Sequence, residues 1–236
     1  QDIPIDLPVM AEWSNKVVEK LPMALQVVRD YWPAKWSDGE MRNLRRAYYA
    51  LCTHIDHQIR ILIGTLREED LLNDTVILLT ADHGDMLGDH GMWAKRLFYE
   101  GSARVPMVLV GAKNHSAIPM GKVDDRLVGL QDVMPTLLGI AGLPIPSSVE
   151  GLSMLGEKRR KVFFGECGED RNASRMIHDG RHKLIWYPGG QIVQMFDLQT
   201  DPKECHDLSL DPSANEVRLR LEAALIENLY GTDLDW

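Results

Sequence analysis

The stretch T-A-D-H-G-D-M-L-G-D-H-G-M-W-A-K, Thr80 to Lys95, follows directly on the apolar run Val76-Ile77-Leu78-Leu79. Its sixteen residues carry three aspartates, two histidines, three glycines and one lysine. A short, β-branched apolar segment such as Thr75–Thr80 reads as a strand buried on both faces, the kind found in parallel sheets. Ligands of open α/β sheets bind just past the C-terminal ends of such strands, where Asp82 and His83 stand. A carboxylate beside an imidazole offers oxygen and nitrogen donors to a divalent cation. Gly84 would let the backbone turn at once, so that both side chains converge. Lys95 would be repelled by a metal unless an anion lay between them. The pattern therefore suits an anion held by metal on one side and ammonium on the other, as in phosphoryl-type transfer. Two donors do not complete the shell of a hard cation, which takes about six, and D-H-G also suits an ordinary surface turn. Spacing leaves both readings open.

Outward from this loop the chain alternates helix and strand. Ser37 and Glu40 form a capping box ahead of a stripe at Met41, Leu44, Tyr48, Leu51, Ile55, Ile59, Leu62 and Leu66, which predicts a long amphipathic helix ending near Glu69. Val105–Val110 reads as a second strand, with Pro106 at its entry. Asp132–Ile140 reads as a short helix closed by Gly142 and Pro144. Beyond Lys158 the pattern changes to four short strands, Val162–Glu166, Arg175–His178, His182–Tyr187 and Ile192–Phe196. Asp179-Gly180 supplies a hairpin turn between two of them. An amphipathic helix over Ser213–Tyr230 stops at Gly231. These elements predict an α/β fold, divided into a layered part over 1–157 and a small antiparallel subdomain with its terminal helix over 158–236.

Composition narrows the function classes. The chain has 236 residues, 44% of them hydrophobic, enough for one large domain with an appendage. A formal net charge of −9 argues against a nucleic-acid binder, although local cations can still favour a small anionic substrate. No apolar run approaches a membrane span. Cys52, Cys167 and Cys205 form neither a C-x-x-C pair nor a disulfide framework, which makes the cytoplasm the default over the periplasm. The opening Q-D-I-P-I-D-L-P reads as a Pro-punctuated linker, and the expectation is that the chain is a piece of something longer.

Read from Thr80 through Gly111, the order D-H-G, G-D-H-G, W-x-K, Y-E and R-V-P resembles the sulfatase family of the alkaline-phosphatase-like superfamily. The likeness is strongest to its bacterial branch of arylsulfatases, choline sulfatases and phosphonate monoester hydrolases. Weaker similarity runs through Arg45–Ala50 with Ile55-Asp56, Gln131–Thr136, Gly142–Pro144 and Met195–Pro202. The resemblance implies that the layered part belongs to a mostly parallel sheet flanked by helices. It implies that Asp82 and His83 are the second pair of metal ligands, for calcium first, with manganese and magnesium as alternatives. His83 stands where many relatives carry Asn. Lys95 matches the catalytic, substrate-binding lysine that contacts the sulfate or phosphate and its leaving oxygen. Glu100 and Arg104 match the Y-E…R-V-P element, where helical spacing favours a structural pair.

The family's nucleophile is a formylglycine made from the Cys or Ser of C-x-P-x-R or S-x-P-x-R. Cys167 has Arg171 four residues on but Glu169 in place of the proline, and no other cysteine or serine fits. The early aspartate pair and the H-x-P-H-like substrate loop also have no counterpart before residue 37. The chain thus resembles the C-terminal half of a sulfatase, its partners being a small sulfate ester and its own N-terminal half, with an oligomer compatible. Sulfuric-ester hydrolysis leads. A phosphonate monoester or phosphodiester hydrolase is the alternative, and a non-catalytic fragment is a third reading.

Other polar clusters have ordinary explanations. His54, Asp56 and His57 fall on the solvent side of the long helix. His178 and His182 flank the hairpin and suit a turn better than a substrate entrance. His90 either lines the pocket or braces the loop through a hydrogen bond.

Overall fold

The computed structural model describes residues 5–15, 21–31, 36–113, 117–231 and 233. In chain order its main elements are α1 (Met23–Tyr31), α2 (Asp38–Glu68), β1 (Ile77–Thr80), α3 (Glu100–Ala103), β2 (Met107–Val110), α4 (Val133–Ile140), β3 (Phe163–Cys167), β4 (Ser174–His178), β5 (His182–Tyr187), β6 (Ile192–Asp197) and α5 (Asn215–Ile226). The start of the expected linker, residues 1–4, and the end of the chain past 233 lie outside the described residues.

Helix α2 forms as its periodicity predicts. The Ser37 backbone N–H donates to Glu40 Oε2 at 2.8 Å, and the Glu40 N–H donates back to Ser37 Oγ at 3.4 Å. Yet Arg45 is the one buried residue of its 31 among those described. Leu51, Ile55, Ile61 and Leu62 are exposed. The stripe exists: Met41 packs against Gly88 of the polar loop, while Leu51, Ile55 and Leu62 have nothing described over them.

Strands β1 and β2 pair antiparallel, Ile77 with Val110 and Thr80 with Met107. The expectation of a strand in parallel pairing, buried on both faces, does not hold for β1 within this chain. The loop that leaves β1 returns at the same end of the ladder, and that connection yields antiparallel strands. Ile77, Leu79, Val108 and Val110 share one face, on which Leu79 is 40%, Val108 47% and Val110 50% exposed. Such an apolar two-stranded face is an association surface. Expressed by itself, this chain is expected to self-associate. Sedimentation velocity returning one monomeric species across a wide concentration range would sink that expectation.

The C-terminal sheet has the order β3-β4-β5-β6, antiparallel throughout, and each observed strand overlaps its sequence-predicted segment. Alternation puts Met176, Ile185, Tyr187 and Phe196 on one face, against Trp13, Leu25, Val28, Met86, Met92 and Tyr99. Ile177, Leu184 and Met195 point the other way, onto Leu221 and Leu225 of α5. The sheet therefore has α5 on one side and, on the other, α1 together with the polar loop.

Helix α4 is fastened by a single carboxylate. Asp132, fully buried, accepts from the Gly129 N–H at 2.9 Å and the Leu152 N–H at 2.7 Å. Arg160 grips the same carboxylate with two bonds, at 2.5 and 2.6 Å, and stacks its guanidinium 5.5 Å from the Phe163 ring centroid.

Candidate functional site

The polar loop leaves β1 at Thr80 and comes back to the ladder at Met107, so Asp82 and His83 stand at the strand end where the sequence places them. Gly84 does not adopt a left-handed conformation. A Cβ on Gly84 would lie 2.1 Å from the Gly101 carbonyl oxygen, and its N–H donates to the Ser102 carbonyl at 2.8 Å. Glycine is needed because α3 presses its backbone against the loop.

Asp82 is exposed, and its Oδ1 accepts the His83 N–H at 3.0 Å. His83 Nδ1 lies 2.8 Å from the Gly84 carbonyl, an acceptor, so Nδ1 carries the hydrogen. In the neutral ring Nε2 then presents a lone pair, 3.4 Å from Asp82 Oδ2. The two acceptors converge on one solvent-exposed point, where a water, a proton or a metal ion can bridge them. The donor chemistry fits a divalent cation. Among the described residues no group of three or more carboxylates, imidazoles and thiols forms a fuller shell.

Lys95 is exposed and forms no hydrogen bond or ion pair among the described residues. Its neighbours Ala94 and Arg96 both adopt left-handed backbone, with φ of 61° and 77°. Two such non-glycine residues around one cation are strain that the surrounding bonds must hold. Asp85 Oδ1 supplies part of that hold, accepting from the Leu87 N–H at 2.8 Å and the Ala94 N–H at 3.2 Å. The Met86 N–H donates to the Ala94 carbonyl at 2.8 Å. The structure brings Asp82 and His83 into contact and holds Lys95 apart from both.

The remaining motif residues are braces. Asp89 Oδ1 accepts from the Val9 N–H at 2.9 Å and from Arg45 at 3.1 Å, which ties α2 to the loop. His90 is buried, donates from Nε2 to the Lys203 carbonyl at 3.0 Å and packs 4.8 Å from the Trp13 ring. Burial pushes its pKa down, so the ring is held neutral. Of the two readings for His90, bracing is the one the structure shows. Glu100 and Arg104 pair at 3.4 Å, as helical spacing expects. His54, Asp56 and His57 are exposed on α2, and Asp179 Oδ1 accepts the His182 N–H at 2.7 Å in the hairpin turn. Burial raises the pKa of the Cys167 thiol, which disfavours the thiolate a nucleophile needs.

Several supporting residues are not evident from the motif. Glu100 carries a second partner, Lys183 of β5, at 2.6 Å. Tyr99, fully buried, lies 3.2 Å from the Tyr187 hydroxyl and donates to Gln194 Oε1 at 2.6 Å. Asp85, although inside the motif, acts as a loop clamp.

The family model described as "Sulfatase" matches residues 13–143, and that described as "N-sulphoglucosamine sulphohydrolase, C-terminal" matches 88–230. An arylsulfatase from Clostridium perfringens is 37% identical over 233 residues, covering 96% of this chain and 48% of that protein. A choline-sulfatase from Rhizobium meliloti is 32% identical over 192 residues, covering 78% of this chain and 36% of that protein. The solved structure of a phosphonate monoester hydrolase from Silicibacter pomeroyi superimposes with a TM-score of 0.79 at 23% identity, over 96% of this chain and 50% of that one. The chain thus spans about half or less of the length of these proteins.

Proposed function

Because the chain belongs to the sulfatase family, we propose that the polypeptide containing it hydrolyses sulfuric esters, with Asp82 and His83 as two ligands of a divalent cation and Lys95 as the clamp on the transferring group. The observation that carries this reading is the convergence of Asp82 Oδ2 and the His83 Nε2 lone pair at 3.4 Å. Calcium is the first candidate on family resemblance. Manganese also accepts a mixed oxygen and nitrogen set, and magnesium is the third candidate. When bound, the cation would supply Lewis-acid neutralisation of the anion's charge.

The chain's own residues prepare that chemistry. Gly84 fixes the His83 tautomer through its carbonyl, and the His83 N–H orients Asp82. Lys95 offers an unpaired ammonium to the ester oxygens, where it can offset the charge that develops as the leaving oxygen departs. The attacking group is assigned to an upstream formylglycine by family resemblance, since no cysteine or serine here stands in C-x-P-x-R or S-x-P-x-R.

A second reading, hydrolysis of phosphonate monoesters, has the support of the fold shared with the Silicibacter pomeroyi enzyme. Both substrates are tetrahedral anions with an ester leaving group. The complete polypeptide is expected to turn over 4-nitrophenyl sulfate faster than a 4-nitrophenyl phosphonate monoester, and to lose that turnover on chelation. Phosphonate turnover faster by orders of magnitude would replace the first reading with the second. Activity that survives metal removal would dismiss the role given to Asp82 and His83.

A further inference from the structure

The segment that leaves the Lys95 turn lies along the C-terminal sheet and is held there residue by residue. The Cys167 thiol of β3 donates to the Arg96 carbonyl at 3.5 Å. The Phe98 ring packs over Gly165 of β3 so closely that a Cβ there would sit 2.8 Å from Phe98 Cε1. Lys183 of β5, only 2% exposed, donates from Nζ to the Phe98 carbonyl at 2.8 Å, to Glu100 Oε1 at 2.6 Å and to Glu204 Oε1 at 2.9 Å. Glu204 closes the ring by accepting the Glu100 N–H on Oε2 at 2.7 Å.

Three acceptors saturate the Lys183 ammonium, so it has no donor left for a ligand. If the contact only joined two layers, well-packed apolar side chains would serve at least as well as a buried ion cluster. What the cluster adds is direction. It fixes the backbone at Phe98 and Glu100, three and five residues past Lys95. Asp85 fixes Ala94 on the other side. Lys95 is carried between these two anchors.

We propose that Lys183, through Glu100, Glu204 and the Phe98 carbonyl, is a positioning residue that sets where Lys95 meets the transferring anion. The C-terminal sheet would thereby contribute to turnover without touching substrate. This rests on the reading above in which Lys95 clamps that anion.

The test is a double-mutant cycle in the complete polypeptide with 4-nitrophenyl sulfate. Lys183→Met is expected to lower kcat about 10–100-fold, the scale of a small misplacement of a catalytic group. In a Lys95→Ala background the same substitution is expected to change kcat by less than about twofold, because the group being positioned is gone. Gly165→Ala is the second variant, since its added methyl would meet Phe98 of the same segment, and Met176 of β4, without touching the charges of the cluster, and it decides the matter if Lys183→Met does not fold. Its loss should likewise vanish without Lys95. Equal losses in the presence and absence of Lys95 would overturn the proposal. Unchanged turnover in Lys95→Ala alone would instead overturn the functional reading on which it rests.

Discussion

Replacing Lys95 with alanine in the complete polypeptide is expected to lower kcat/KM for an aryl sulfate by about 10²–10³-fold, the usual effect of losing one preorganised charge partner. Most of the loss should fall on kcat. An ammonium that touches the leaving oxygen interacts most strongly when that oxygen has gained charge, and interactions made only in the transition state appear in kcat. The deficit should also grow as the leaving phenol becomes more basic, because a poorer leaving group depends more on the cation. Steady-state rates across a series of substituted phenyl sulfates measure this directly. A rise in KM with kcat unchanged, equal for all phenols, would show that Lys95 only attracts the substrate.

The largest expected effect on stability is at Asp132. Asp132→Ala should destabilise the protein by about 3–5 kcal/mol, the range for removing one partner of a buried ion pair. Four bonds end on this carboxylate, two from main-chain N–H groups and two from Arg160. Truncation leaves the Gly129 and Leu152 N–H groups and the guanidinium without their acceptor, which costs more than the bonds themselves contribute. Because Asp132 is fully buried, solvent screening offers little relief. The measurement is the urea midpoint at unchanged denaturant slope. A loss below about 1 kcal/mol, the figure for an exposed pair, would show that the cluster is not the fastener it is taken for.

The parts of this fold that were legible in the sequence are those whose signals are local. Ser37 and Glu40 announce the start of α2, and the steps from Met41 onward give its period. The short strand-like runs such as His182–Tyr187, with Asp179-Gly180 as the turn between two of them, give the meander. What failed was whatever depended on a partner. The run Ile77–Thr80 reads as doubly buried because a continuous apolar strand carries no marker of which face is covered. Helix α1 gives only a brief signal, Ala24, Leu25 and Val28 at helical spacing behind Pro22, short enough to pass for a linker. The motif residues Asp82, His83 and Lys95 stand out by type and order. Their supports do not, since Glu100 meets Lys183 from 83 residues away. One clue was available. In β5 the period of two puts Lys183 on the same face as Ile185 and Tyr187, and a lysine on a buried face must have partners.

The left-handed residues on either side of Lys95 have a consequence for anyone who tries to harden this protein. Alanine and arginine each give up about 1–2 kcal/mol in that conformation, whereas glycine tolerates it freely. A screen for melting temperature should therefore favour Ala94→Gly and Arg96→Gly. Those same substitutions would free the backbone that carries the ammonium, so heat resistance and turnover are expected to move in opposite directions at these two positions.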